Sequence, residues 1–225
     1  MSSRTLYRLS GGALIAGSLL ILISSIVGAV LFPGHSSTPQ QVLSLPWLLM
    51  TLITLIGSLL FVIGLPGMYL HQAGRAGVLG LVGFILLFLA ILLEGAAFSS
   101  VQVVVLPFLA QKAPQFLGGN SLPISAFLLL LISGLMQMIG TILLGIATMR
   151  AHVFPRWTGV LLLVSGIAFL LTIPPLPSPL GDIIEVASFA ALALGCISCG
   201  YLLMSRRNEA VEAAPFATAE ARANR

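Results

Sequence analysis

Polar residues along this chain come as short islands between long apolar runs. Residues 77–97, GVLGLVGFILLFLAILLEGAA, pass seventeen positions before a charge appears at Glu94. An amphipathic helix of a soluble domain would turn a polar residue to water every third or fourth position. An unbroken apolar run of about 20 residues is instead what a helix needs to cross roughly 30 Å of hydrocarbon. The pattern predicts six such spans, at about residues 12–32, 46–65, 77–97, 124–149, 158–173 and 183–204. The expected fold class is all-α, a polytopic membrane helix bundle of six transmembrane helices over residues 1–204. The tail, residues 205–225, is Ala-rich and mixed in charge, a composition that predicts disorder.

The connections carry the breakers. Pro33-Gly34 ends the first run, and a polar HSSTPQQ stretch leads to Pro46. Basic residues before that first run resemble a secretory leader, but its apolar part exceeds the 7–15 residues of a leader core and no small-x-small site follows. It is therefore read as an uncleaved span. Pro66-Gly67 is expected to break or bend the second span, leaving MYLHQAGRAG as a short link. Residues 98–123 form the longest connection, and its apolar part is interrupted by Pro107, which predicts an interfacial or re-entrant helix over residues 101–117. The prolines of PPLPSPLGD stop the fifth span, and Arg206-Arg207 stops the sixth.

Composition and charge sharpen this. The chain is 58% hydrophobic and only 7% charged, against roughly 25% charged in soluble domains. Its mean hydropathy is +1.12, so lipid is its expected solvent. A net charge of +4 could suggest nucleic acid, but the arginines sit at the ends of apolar runs instead of forming one basic segment. With six spans, all nine arginines fall on one side and Lys112 on the other. Short basic loops stay cytoplasmic, so both termini are expected inside, in a multi-pass protein of a bacterial cytoplasmic membrane. Trp157, after Arg156, falls where an interfacial aromatic belongs.

Few residues could carry chemistry. Glu94 lies about 25 Å along its span at 1.5 Å per residue, and Glu185 is expected at a similar depth. Either the two bind a proton, a cation or a cationic substrate, or each reaches the headgroups or nearby hydroxyls. Gln137, near the middle of the fourth span, should hydrogen-bond across a helix interface, as structural glue or as a substrate contact. Cys196 and Cys199 form a C-x-x-C pair, but inside a helix with no N-terminus to activate a thiol. Ala187, Ala191, Gly195 and Cys199 recur at intervals of four, which reads as close helix packing, with redox chemistry as the alternative. Gly74, Gly77, Gly80 and Gly83 are read as a second packing face. His71, Arg75, His152 and Arg156 share the basic side and could meet anionic lipid. No histidines lie within spans at matching depth as haem ligands. No metal site, cofactor or nucleotide loop is expected.

His71-x-x-x-Arg75 echoes His152-x-x-x-Arg156, and Gly64 and Gly145 precede those histidines by the same distance, which suggests a parallel duplication of two hairpins. The combination of Arg75–Gly77, a late Glu in the third span, LPFLAQKAP at Leu106–Pro114 and FPRWTG at Phe154–Gly159 resembles uncharacterised multi-pass membrane proteins of bacteria. That resemblance implies a class and no activity. The leading expectation is a non-enzymatic accessory, sensing or scaffold protein. The second is a small proton- or cation-coupled transporter using Glu94, Glu185 and Gln137, and the third a redox or lipid-modifying membrane enzyme. Expected partners are membrane lipids, with a second copy or another membrane subunit as possibilities, and no nucleic acid.

Overall fold

A computed structural model of the chain describes residues 3–33, 38–117, 124–172 and 179–205. Every regular element among them is helical: α1 (Ser3–Leu31), α2 (Pro39–Val42), α3 (Leu45–Ala90), a π-helical segment (Ile91–Phe98), α4 (Ser99–Lys112), a 3₁₀ turn (Pro114–Phe116), α5 (Ile124–Ala151), α6 (Arg156–Leu170) and α7 (Leu180–Ser205). Four helical stretches are long and apolar enough to cross a membrane: Thr5–Leu31, Leu45–Lys112, Phe127–Ala151 and Leu180–Ser205. Helix α6 is apolar but shorter, 15 residues, or about 22 Å. Large apolar side chains such as Val30, Val78, Val104 and Ile183 remain exposed on the outside, as a lipid-facing surface requires.

The second and third apolar runs meet differently from expectation. Pro66 sits inside helix, and the link predicted over residues 68–77 is helical as far as Ala76. Proline costs one backbone hydrogen bond but does not stop a helix that its neighbours hold. The chain reverses instead at Gly77, with φ 59° and ψ −164°, a region open essentially to glycine alone. Tyr69 stacks on Phe84 at 4.7 Å between ring centroids, and Gly95 packs on Ser58, so the two arms of α3, residues 45–76 and 78–90, run antiparallel. A Cβ at Gly77 would meet nothing within 4 Å. Gly77→Ala should therefore lower stability only through backbone strain, by about 2 kcal/mol. Gly74→Ala, in regular helix and also unobstructed, should be neutral or better; thermal unfolding in detergent compares the two. Neither glycine packs on a neighbour, unlike Gly80 and Gly83, so the four-glycine face is corrected to two.

Glycines set the remaining pairings. A Cβ at Gly64 would lie 2.7 Å from Leu14 Cα, Gly67 faces Ser10, and Tyr7 meets His71 edge-on at 6.0 Å, which lays α1 antiparallel to the first arm. Gly83 and Gly140 place the second arm against α5, with a Cβ at Gly140 3.0 Å from Leu87 Cα. Gly145 opposes Gly159 between α5 and α6, and Gly195 faces Leu162 between α6 and α7. Gly200 and Gly11 then join α7 to α1, each virtual Cβ 2.8 Å from the other's carbonyl oxygen. Among the long helices, α1 thus packs on the first arm of α3, the second arm on α5, α5 on α6 and α6 on α7, and α7 closes on α1. Small residues let backbones approach where no hydrophobic drive distinguishes helix from lipid. Leu14, Phe61, Leu65, Met68, Leu87, Leu144, Leu162 and Leu192 fill the interior.

Residues 99–112 are helical, following directly on the π-helical segment, with Pro107 inside. Ala110 buries against Phe32, Val42 and Trp47, with Leu106 packed beside them. Thr38 closes a capping box on α2 with Gln41. The predicted tail beyond Ser205 and the proline stretch at 173–178 lie outside the described residues.

Candidate functional site

Glu94 stands on the eight-residue π-helical segment Ile91–Phe98. Such i→i+5 turns are rare and concentrate at functional positions. Buried positions of the second arm advance as Gly80, Gly83, Leu87, Ala90 and Ile91, and then jump to Ala96. That extra residue turns Glu94 into partly buried space between helices. Across from it on α5, Ser133 Oγ lies 3.3 Å from Glu94 Oε2 and 3.0 Å from the Leu130 carbonyl. One hydroxyl proton serves both acceptors. Glu185 of α7 lies within electrostatic range of Glu94, although the two acids are far apart in the sequence. Glu185 and Asp182 each have further interactions of their own.

Gln137 follows Ser133 by one turn of α5 and is 2% exposed. The same face continues with Thr141, which donates to the Gln137 and Met138 carbonyls at 2.8 and 3.0 Å. Nearby, Ser188 of α7 donates to the Ser165 carbonyl of α6 at 2.9 Å. Cross-helix hydrogen bonds of this kind are worth about 0.6 kcal/mol on average in membrane proteins. At the same end of the bundle Ser24 of α1 bonds Thr54 of α3. Two cavities of about 330 and 310 Å³ lie along α1, one lined by Ser24, Met50 and Leu49, the other by Ile26, Pro179 and Asp182. Neither includes Glu94.

The other predicted residues separate into packing and rim. Cys196 and Cys199 are free, fully buried and part of the apolar interior. Gly195, Cys199 and Gly200 make the packing face of α7, but Ala187 is exposed and falls off it. At the opposite end from Glu94, the His71 ring is held between Tyr7 and Phe154, 5.6 Å from the latter. Arg75 is exposed. His152, at φ 53°, is a turn residue; its Nδ1 lies 2.8 Å from the Arg150 carbonyl and its Nε2 accepts from Arg156 Nη2 at 3.2 Å. His71 is thus inside a helix and His152 in a turn, so the echoed motifs occupy different structural places and do not mark equivalent hairpins. No group of three or more His, Cys, Asp or Glu that could hold a metal occurs among the described residues.

Sequence reasoning missed Gln72 and Thr148, both buried at the arginine end. Gln72 reads as part of a polar link because His71, Arg75 and two glycines surround it; Thr148 is hidden in an apolar run. Comparison with family models, curated proteins and solved structures finds no match, so the reading of function rests on the site's own geometry.

Proposed function

We propose that the chain is a six-span integral protein of a bacterial cytoplasmic membrane that binds and moves a proton or small cation at Glu94 and Glu185, without enzymatic activity. Leu45–Lys112 counts as two spans because it folds back at Gly77, and α6 supplies the sixth crossing. The arginine-bearing ends, with both termini, face the cytoplasm by the distribution of positive charge. Residues 101–117 then lie at the opposite interface. One observation carries the reading: an acid set in a π-helical turn inside an apolar bundle takes the Ser133 hydrogen bond and lies within electrostatic range of a second acid. Two carboxylates out of water need a compensating positive charge, which a proton or cation supplies. Gln137, one turn further in, is the next polar contact.

The test is proton uptake into liposomes holding the purified protein, driven by a potassium diffusion potential. Glu94→Gln keeps shape and hydrogen-bonding capacity but removes the ionisable group, so uptake should fall by about tenfold or more with folding unchanged. Equal uptake by the variant removes the reading. The second reading, an accessory, sensing or scaffold subunit, is favoured by the dense glycine packing and by apolar cavities that stand away from Glu94. A partner protein that co-purifies in fixed stoichiometry would support it.

A further inference from the structure

Two side chains at the arginine end have polar atoms that the protein does not satisfy. Gln72, on the first arm of α3, is 1% exposed, and Thr148, on α5, is 0% exposed. Neither the Gln72 Oε1 and Nε2 nor the Thr148 Oγ1 has a hydrogen-bond partner within the protein. Buried polar atoms of this kind are rare, because each forfeits the hydrogen bonds it made in water.

Both lie close in sequence to residues that border Gly80. A Cβ built on Gly80 would press on the Ala76 Cβ and sit 3.3 Å from the Ala147 Cβ, so the end of the first arm and α5 both border Gly80 of the second arm. Gln72 is one turn from Ala76 on the same face, and Thr148 adjoins Ala147. The two reversals with positive φ, Gly77 and His152, follow them by five and four residues.

The donors and acceptors choose the occupant. The amide offers two N–H donors and a carbonyl, the hydroxyl a donor and an acceptor, and neither carries charge. A bare metal ion would find two neutral oxygens and a facing N–H₂, far fewer than the six or so oxygens a hard cation takes. An anion would meet the carbonyl, and an apolar ligand would satisfy nothing. Water donates and accepts at once, and buried water is held by two to four such partners.

On the reading that Glu94 handles a proton, the polar face of α5 gains a direction. Ser133, Gln137 and Thr141, at most 2% exposed, lie at steps of four residues, and Leu144 then interrupts the series before Thr148. Each step is about 6 Å and the break about 10 Å along the helix. We propose that Gln72 and Thr148 hold buried water at the arginine end of the bundle, and that this water is the far terminus of a proton path that starts at Glu94 and is closed by Leu144.

X-ray hydroxyl-radical footprinting reads the water directly, since a buried residue is oxidised only when water is bound beside it. Met68 is 0% exposed and one turn before Gln72, and Met204, 40% exposed, is the reference. Met68 should label in the native protein, and Gln72→Leu with Thr148→Val should cut that labelling about tenfold. Thr148→Ser, which keeps the hydroxyl, should preserve it, and the near-isosteric Thr148→Val alone guards against misfolding. Labelling that ignores all these changes, or no labelling of Met68, overturns the water site. In the liposome assay the double variant should lose proton flux about tenfold and Leu144→Ser should raise it. Lost labelling with unchanged flux overturns the path but leaves the water. Flux equal in native and Glu94→Gln protein overturns the proton reading, while the labelling still decides the water site.

Discussion

Gly17→Val should prevent α1 from closing on the first arm of α3 and destabilise the bundle by about 3 kcal/mol, the upper range for overpacking. A Cβ at Gly17 would lie 2.7 Å from the Gly57 carbonyl oxygen and 2.9 Å from Phe61 Cα, and would also strike the Phe61 backbone nitrogen. These are main-chain atoms, so no rotamer change relieves the contact. Separating the helices is the remaining way out, and separation forfeits dispersion contacts that fall off within an ångström. Gly57 faces Gly17 with the same closeness: its virtual Cβ is 2.9 Å from Leu20 Cβ and 3.1 Å from the Ile21 nitrogen. Lipid offers the separated helices an equally apolar surface, so nothing pulls them back together. Thermal unfolding in a mild detergent measures the loss, and a variant as stable as the native chain would contradict the crossing described.

The second large effect is expected from the same crossing by the opposite fault. Phe61 is 1% exposed and among the largest fully buried side chains, so Phe61→Ala opens a ring-sized hole between α1, α3 and the central leucines. Aromatic-to-alanine changes in packed interiors cost about 3–5 kcal/mol. The hole cannot rescue Gly17→Val, because that substitution meets the backbone of Phe61 and not its ring. The double variant should therefore be less stable than either single one. Recovery of stability in the double variant would show that the ring, not the main chain, limits the approach.

How much of this was legible before the fold was known depends on how local each cause is. Apolar run length and terminal arginines are local, and they gave membrane-length helices, a link at residues 68–77 and the isolated Glu94. Gln137 was read as a buried amide for the same reason. The continuation of helix through Pro66 and the HQAGRAG stretch was not legible, because neighbouring helices supply what proline removes and the only compulsory break is the backbone conformation of Gly77. The π-helical turn has no signature in ILLEGAAF. Its Ser133 partner lies 39 residues away, and the Glu185 charge further still, so only the pairing of α5 and α7 with the second arm could join them. Gln72 shows the reverse error: a polar residue among polar neighbours looked like a loop, although helix and burial continue through it.

The closure of α7 on α1 bears on how the chain is made. The crossings of α1 with the first arm, of the second arm with α5, of α5 with α6 and of α6 with α7 each join neighbouring long helices and can form as soon as the second of them emerges. The contact of Gly11 with Gly200 and of Ile15 with Gly200 instead waits for the last helix, nearly the whole length of the chain later. Until then the side of α1 that carries Gly11 and Ile15 lacks its partner helix, and Glu94 lacks Glu185. Insertion of α7 is therefore the keystone of synthesis, the event that seals the ring of long helices against α1.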